Sequence, residues 1–222
     1  MKLSLLVYTL LFTGGLLQAE DKEENWKIYS GKAGPSGWRC NTIHPDPKDH
    51  GPDGINVHDW DGDGNHDLFV NYEEGKYSRL YFNPGPGKTR KTWDRYVEFT
   101  HGQCEDSGIG DLDNDGDLDY IANGGWVYFN PGQKKATNAS SWKKMILFNH
   151  ERRVPTVTDV DGDGLNDLIV GAQEWYQQPK TGKHMAHNWK KHIIGKNRWP
   201  MNCIMRDLDG DGDMDMVVPE GA

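Results

Sequence analysis

Residues 157–170 read VTDVDGDGLNDLIV: aspartates at 159, 161, 163 and 167 lie between two short runs of β-forming apolar residues. Two carboxylates about 4 Å apart repel by roughly 4 kcal/mol at an effective dielectric of about 20, and four of them make six such pairs. Crowding that charge against strands destined for burial calls for something positive among the aspartates.

The stretch is one of four. INVHDWDGDGNHDLFV (55–70), GIGDLDNDGDLDYIA (108–122) and CIMRDLDGDGDMDMVV (203–218) repeat it, with first aspartates at 59, 111, 159 and 207 and so periods of 52, 48 and 48. Other features recur in phase. RLYFNPGPG (79–87), WVYFNPGQ (126–133) and EWYQQPKTG (174–182) follow the loops, and TWDRYVEF (92–99), SWKKMILF (141–148) and NWKKHIIG (188–195) follow those. Each unit therefore offers an incoming strand, an acidic loop, an outgoing strand, an aromatic strand ending near Pro, and a Trp-led strand. Four antiparallel strands at this period describe a β-propeller blade, and the fold class is all-β. The outgoing strands DLFV, DYIA, DLIV and DMVV lack polar alternation, as expected of strands covered on both faces by stacked blades.

The acidic loop has a position code. In the third copy Asp159, Asp161, Asp163 and Asp167 stand at positions 1, 3, 5 and 9, Gly164 at 6 and Leu165 at 7. Carboxylates at 1, 3 and 5, a main-chain carbonyl at 7 and a turn glycine at 6 suit a hard cation of flexible coordination such as calcium. Position 7 holds Asn65, Asp117, Leu165 and Asp213, and a site that tolerates leucine there uses the main chain. A helix-loop-helix calcium hand is excluded, because position 12 is Val70, Ala122, Val170 and Val218 and the flanks are strands. Magnesium prefers strict octahedra with retained water, and zinc would want His or Cys. The loops hold sixteen of the 34 acids at positions 1, 3, 5 and 9, and four divalent ions would nearly cancel the net charge of −9. Four near-identical loops single out no catalytic copy, so the ions are expected to be structural.

At these residues the chain resembles the FG-GAP/VCBS repeat family, whose Asp-rich loop DxDGDGxxDL marks blades of an integrin-α-like β-propeller. The resemblance spans about residues 25–220. It implies four calcium loops, at 59–67 (Asp59, Asp61, Asp63, Asn65, Asp67), 111–119 (Asp111, Asp113, Asp115, Asp117, Asp119), 159–167 (Asp159, Asp161, Asp163, Leu165, Asp167) and 207–215 (Asp207, Asp209, Asp211, Asp213, Asp215). Asn114, where the other copies have glycine, departs at a non-ligand position. Propellers of this family commonly have roughly seven blades. Here the strands number fifteen, about three full blades plus a partial fourth, if NWKIYSG (25–31) is counted as an early Trp-led strand. The expectation is a piece of a larger ring; the alternative is a closed four-bladed ring that the early strand fastens.

Residues 1–19, MKLSLLVYTLLFTGGLLQA, read as a secretory signal cut after Ala19, which leaves a propeller domain over 20–222 with no membrane span and predicts a secreted, periplasmic or cell-surface location. Acidity argues against nucleic acid. Residues 30–54 form an insertion with four prolines, whose His44 and His50 are expected to be solvated. Three cysteines cannot all pair within one chain: Cys40 with Cys104 is one arrangement, and buried thiols, Cys203 included, the other. Asn138-Ala139-Ser140 is a glycosylation sequon.

The resemblance implies a binding or scaffold module for a glycan or extracellular protein ligand. Trp38, Trp126, Trp175 and Trp199 suit sugar stacking, although Trp126 and Trp175 fit inter-blade packing better. The alternative is a propeller-type polysaccharide lyase or hydrolase using the residues that break the repeat, His101, Glu105, Asp106, Glu151, Arg152, Arg153 and Arg198. Their spacing specifies no acid, base or nucleophile pair.

Overall fold

A computed structural model of the chain describes residues 42–149, 154–180, 189–195 and 203–218. They form β1 (Pro52–His58), β2 (Asp67–Tyr72), β3 (Tyr77–Tyr81) and β4 (Tyr96–Thr100) in a first sheet; β5 (Ser107–Gly110), β6 (Asp119–Ala122), β7 (Trp126–Phe129) and β8 (Lys143–Ile146) in a second; β9 (Pro155–Thr158), β10 (Asp167–Val170), β11 (Glu174–Gln177) and β12 (Lys190–Ile193) in a third; and β13 (Ile204–Arg206) with β14 (Asp215–Val217) in a fourth. All pairings are antiparallel, and each sheet follows chain order. These are three full blades and half of a fourth of a partial β-propeller, as the repeat predicts. Among the described residues helix is confined to two single turns, Gln133–Lys135 and Ala139–Ser141, and none is long and apolar enough to cross a membrane.

Strand register explains which side chains stack between blades. Val57 opposes Leu68, Leu68 opposes Tyr81, Val70 opposes Arg79, and Arg79 opposes Glu98, so these share one face of the first blade. Phe69, Leu80, Val97 and Phe99 share the other, where they meet Tyr120, Tyr128 and Trp142 of the second blade. Phe69 and Tyr120 stack with centroids 4.2 Å apart. The next seam joins Ile121, Val127 and Phe129 to Leu168, Val170 and Tyr176, and the third joins Ile169 and Ala172 to Cys203 and Met205. Fully burying such a side chain contributes roughly 1.5–3 kcal/mol. Inner strands approach closely: a Cβ on Gly108 would sit 2.5 Å from the Pro155 carbonyl oxygen, which is why the second incoming strand carries glycine there.

The two outermost faces lack such cover among the described residues. Val217 is 44% exposed, although its repeat equivalents Phe69, Ile121 and Ile169 are all 0% exposed. At the other end Ile55 and Val57 are 51% and 48% exposed. β6 and β10, which have blades on both sides, are buried at every residue, and this accounts for their unalternating apolar sequence.

Three expectations need adjustment. Trp93, Trp142 and Trp189 stand just ahead of β4, β8 and β12 rather than in them, and all three are buried. Exposed lysines lead the last two outer strands (Lys143, Lys144, Lys190, Lys191), a device that blunts a free sheet edge. Pro52, Asp53 and Gly54, read as loop, begin β1, with a register shift before Ile55. His44 is half-buried against Tyr81 and Tyr96, centroids 5.3 and 5.0 Å away, because residues 43–49 strap the outer half of the first blade; His50 is exposed as expected.

Cys104 is a buried free thiol whose Sγ–H donates to the Asp106 carbonyl at 3.0 Å, and burial pushes its pKa up to about 11. Cys203 is buried beside Thr156 Oγ1 at 3.6 Å. The signal segment 1–19, the early strand 25–31, Trp38, Cys40 and Trp199 lie outside the described residues.

Candidate metal centres

Each acidic loop is the connection between the two inner strands of its blade, and carboxylates fold it. In the first three loops the position 1 aspartate accepts the main-chain N–H of position 5 on Oδ1 and of position 6 on Oδ2: Asp63 and Gly64 on Asp59 (3.1 and 2.9 Å), Asp115 and Gly116 on Asp111 (2.9 and 2.9 Å), Asp163 and Gly164 on Asp159 (3.1 and 2.9 Å). In the fourth, Asp207 takes Gly210 (2.7 Å) in place of Asp211, and Gly212 (3.1 Å). The position 5 aspartate accepts from position 7 in every copy: Asn65, Asp117, Leu165 and Asp213 at 2.8, 3.0, 3.0 and 2.9 Å. Glycine at position 6 is required by the left-handed backbone, φ 85, 94, 85 and 97 at Gly64, Gly116, Gly164 and Gly212.

The position 9 aspartate closes the loop onto the sheet. Asp67, Asp119 and Asp167 accept with Oδ2 from the position 2 N–H (Trp60, Leu112 and Val160; 2.9, 2.8 and 3.2 Å). With Oδ1 they accept from the residue just past the third strand (Asn83, Asn130 and Gln178; 2.8, 2.9 and 2.7 Å). Asp215 keeps the first of these bonds, from Leu208 at 2.9 Å. Burial pushes Asp67 up to about 6 and Asp119 up to about 8, because desolvation of the carboxylate outweighs the donated N–H groups. Asp167 is raised for the same reason.

Carboxylate oxygens converge accordingly. Asp59, Asp61 and Asp67 bring one oxygen each within 4.8 Å of one another, as do Asp159, Asp161 and Asp167, and Asp207, Asp209 and Asp215; in the second loop the trio is Asp111, Asp113 and Asp115. Three loops thus gather positions 1, 3 and 9, and the second gathers 1, 3 and 5, although position 5 caps the turn in every copy.

The donor set fits a hard cation: every side-chain oxygen is a carboxylate, and no His or Cys belongs to the four clusters. Asp61 Oδ1 is buried without a hydrogen-bond partner. Desolvation and then the neighbouring Asp63 raise the Asp61 pKa, even with Arg95 Nη2 2.6 Å from its other oxygen. In the third loop Lys180 stands 3.2 Å from Asp163 and the neutral amide of Gln177 donates to Asp161 at 2.6 Å, so a cation and an N–H donor already face these carboxylates.

A match to the FG-GAP-like repeat covers residues 59–122 and 159–218, more than half of the chain, each stretch running from the first aspartate of one loop through the outgoing strand of the next. The chain belongs to the FG-GAP-like repeat family. No curated protein matches it significantly.

The FG-GAP-like repeats carry a second recurring group that loop reading alone misses. Asn83, Asn130 and Gln178 cap the carbonyl of position 8 with their side-chain amides (His66, Leu118 and Asn166; 2.8, 3.2 and 2.7 Å), in addition to donating N–H to the position 9 aspartate. The signal was present: each stands directly before a proline, in phase with the loops.

The residues named for the enzymatic alternative are differently placed. His101 is buried at the first seam, with Nε2 2.7 Å from Ser78 Oγ and 3.0 Å from Tyr120 OH. Ser78 is 0% exposed, so this serine and histidine bind the seam together. Asp106 Oδ1 accepts the Ser107 N–H at 2.8 Å, and Glu105 is half-buried beside it. Glu151, Arg152, Arg153 and Arg198 lie outside the described residues. Trp126 packs on the first core with Lys144 Nζ 4.9 Å over its ring, and Trp175 stacks on His192 at 4.2 Å.

Proposed function

We propose that this chain is an exported, calcium-stabilised propeller module that binds a glycan or an extracellular protein. Membership of the FG-GAP-like repeat family supports a β-propeller-like binding module. The observation that carries the calcium reading is the convergence of three carboxylate oxygens within 4.8 Å in all four loops, one of them leaving a buried Asp61 oxygen without a partner. Asp59, Asp61 and Asp67, their counterparts in the third and fourth loops, and Asp111, Asp113 and Asp115 in the second would hold the ion beside the main chain of position 7. A bound divalent cation supplies the positive charge that offsets the aspartates' repulsion and joins incoming to outgoing strand, so its binding free energy adds to folding. The chain's own part is to hold the loop in shape through the position 1, 5 and 9 caps.

Export rests on the signal-like residues 1–19 and suits ions that are abundant outside cells. The test is binding of the purified chain to a glycan array and to extracellular matrix proteins, in calcium and again after EDTA. Retention that is lost in EDTA and restored by calcium supports the reading. Retention of nothing in either buffer, or turnover of a polysaccharide instead, overturns the binding assignment.

A further inference from the structure

Position 4 is Gly62, Gly162 and Gly210 in the first, third and fourth loops and Asn114 in the second. Asn114 keeps the left-handed backbone of its equivalents, φ 60 against 70, 69 and 80. Asparagine tolerates that region better than most side-chain-bearing residues, but glycine adopts it without strain.

The side chain gained in exchange crosses to the next blade. Asn114 Nδ2 donates to the Gly164 carbonyl at 3.2 Å, and Asn114 Oδ1 accepts the Asn166 main-chain N–H at 3.0 Å. Asn166 Nδ2 returns to the Asp111 carbonyl at 2.6 Å, and Gln178 Nε2 donates to both the Leu112 and Asn166 carbonyls at 2.7 Å. Gln178 reaches the preceding blade because it is one methylene longer than Asn83 and Asn130, its equivalents.

The two groups that Asn114 grips flank Leu165, position 7 of the third loop. The Asn166 N–H and the Leu165 C=O belong to one planar trans peptide and point in opposite directions. Anchoring the N–H therefore fixes the aim of the carbonyl, and the hydrogen bond polarises the same peptide and strengthens the carbonyl as an oxygen donor. In the other three loops position 7 is Asn65, Asp117 or Asp213, whose side chains also carry oxygen. Leucine has none. The loop that depends wholly on its main chain at this position is the loop that receives an asparagine from the blade before it.

We propose that Asn114 is a positioning residue for the ion site of the following blade, setting the Leu165 carbonyl as the main-chain ligand of the third loop. The inference rests on the calcium reading above and deepens it: affinity at the third site depends on a residue of the second loop.

The test is calcium titration of the intact chain by calorimetry, comparing wild type with Asn114→Gly. That variant installs the residue the other three loops use, so it preserves the left-handed turn and removes no carboxylate. One class of site should weaken about 10- to 100-fold, the usual effect of losing a group that orients a metal ligand, while the others are unchanged. In an Asp161→Asn background, which already lacks a carboxylate of the third cluster, Asn114→Gly should weaken calcium binding no further. Thermal melts add a control for simple inter-blade adhesion: Asn114→Gly should lower Tm more in calcium than in EDTA. The proposal is overturned if the Asn114→Gly titration superimposes on that of wild type, if the weakening is as large in the Asp161→Asn background, or if the Tm loss is equal in both buffers. Absence of calcium uptake by wild type itself, with identical wild-type melts in calcium and EDTA, overturns the calcium reading and this inference with it.

Discussion

Arg79 Nη1 donates to Asp49 Oδ1 at 2.6 Å while no part of the Arg79 side chain reaches solvent. The same guanidinium donates from Nη2 to Asp46 at 3.0 Å and from Nε to Glu98 at 2.9 Å, and lies 4.7 and 4.9 Å from the rings of Tyr96 and Tyr77. Asp46 and Asp49 belong to the 43–49 strap, so one buried cation fastens the strap to the first blade. It also accounts for the His44, Asp46 and Asp49 grouping, which already has its positive charge. Replacing Arg79 by Met should destabilise by about 3–5 kcal/mol in denaturant titration, because Asp46 and Asp49 lose their buried counter-charge, whereas Glu98 keeps Lys48 Nζ at 3.2 Å. Arg79→Lys should recover little of it, since an ammonium lacks the planar fork that reaches three acids. A loss under about 1 kcal/mol for Arg79→Met would show that the strap is held by other contacts.

Asp119 separates two roles that the loop sequence merges. Both of its oxygens accept main-chain N–H groups, from Leu112 at 2.8 Å and Asn130 at 2.9 Å. Asp119→Asn turns an NH2 toward one of those donors and should reduce stability by roughly 1–3 kcal/mol even in calcium-free buffer. Asp115→Asn keeps an acceptor for the Asp117 N–H and should matter only when calcium is present. Melts of both variants with and without EDTA check this; equal behaviour of the two would contradict the division.

The repeat made most of the architecture legible. Four in-phase acidic loops place the two inner strands of each blade, and the unalternating DYIA and DLIV runs report the cover on both faces that the stacked blades provide. Less visible was anything that depends on which blade meets which. Arg79 sits in an aromatic strand and reads as an exposed charge until the strap is placed over it. Asn114 looks like a tolerated substitution until the third loop is brought alongside. Position 9 reads as one more ligand, because sequence spacing does not reveal that its oxygens also hold the main chain of two other segments. Trp93, Trp142 and Trp189 read as strand residues because Trp favours strands, yet each packs from the loop before: Trp142 and Trp189 into inter-blade seams, Trp93 against the outer face of the first blade.

His101 makes the first seam sensitive to pH. Its Nδ1–H donates to the Gly102 carbonyl at 2.7 Å, and burial lowers its pKa below the ordinary histidine value. The unfolded chain therefore takes up the proton more readily, so this contribution is complete above about pH 6.5 and is lost as pH falls below it. His101→Gln retains hydrogen-bonding capacity without titrating. The Tm decrease between about pH 7.5 and about pH 5.5 should be smaller in the variant than in wild type. Parallel pH profiles would rule out His101 as a source of the acid sensitivity.

The account as a whole depends on ions among the loop aspartates, and calorimetric titration of the metal-stripped chain with calcium, paired with melts in calcium and EDTA, tests it most directly. Saturable uptake approaching four ions is expected, with a higher Tm in calcium; each site adds about 2.7 kcal/mol at a free concentration of about 100 times its Kd. A flat titration with superimposable melts would contradict the account.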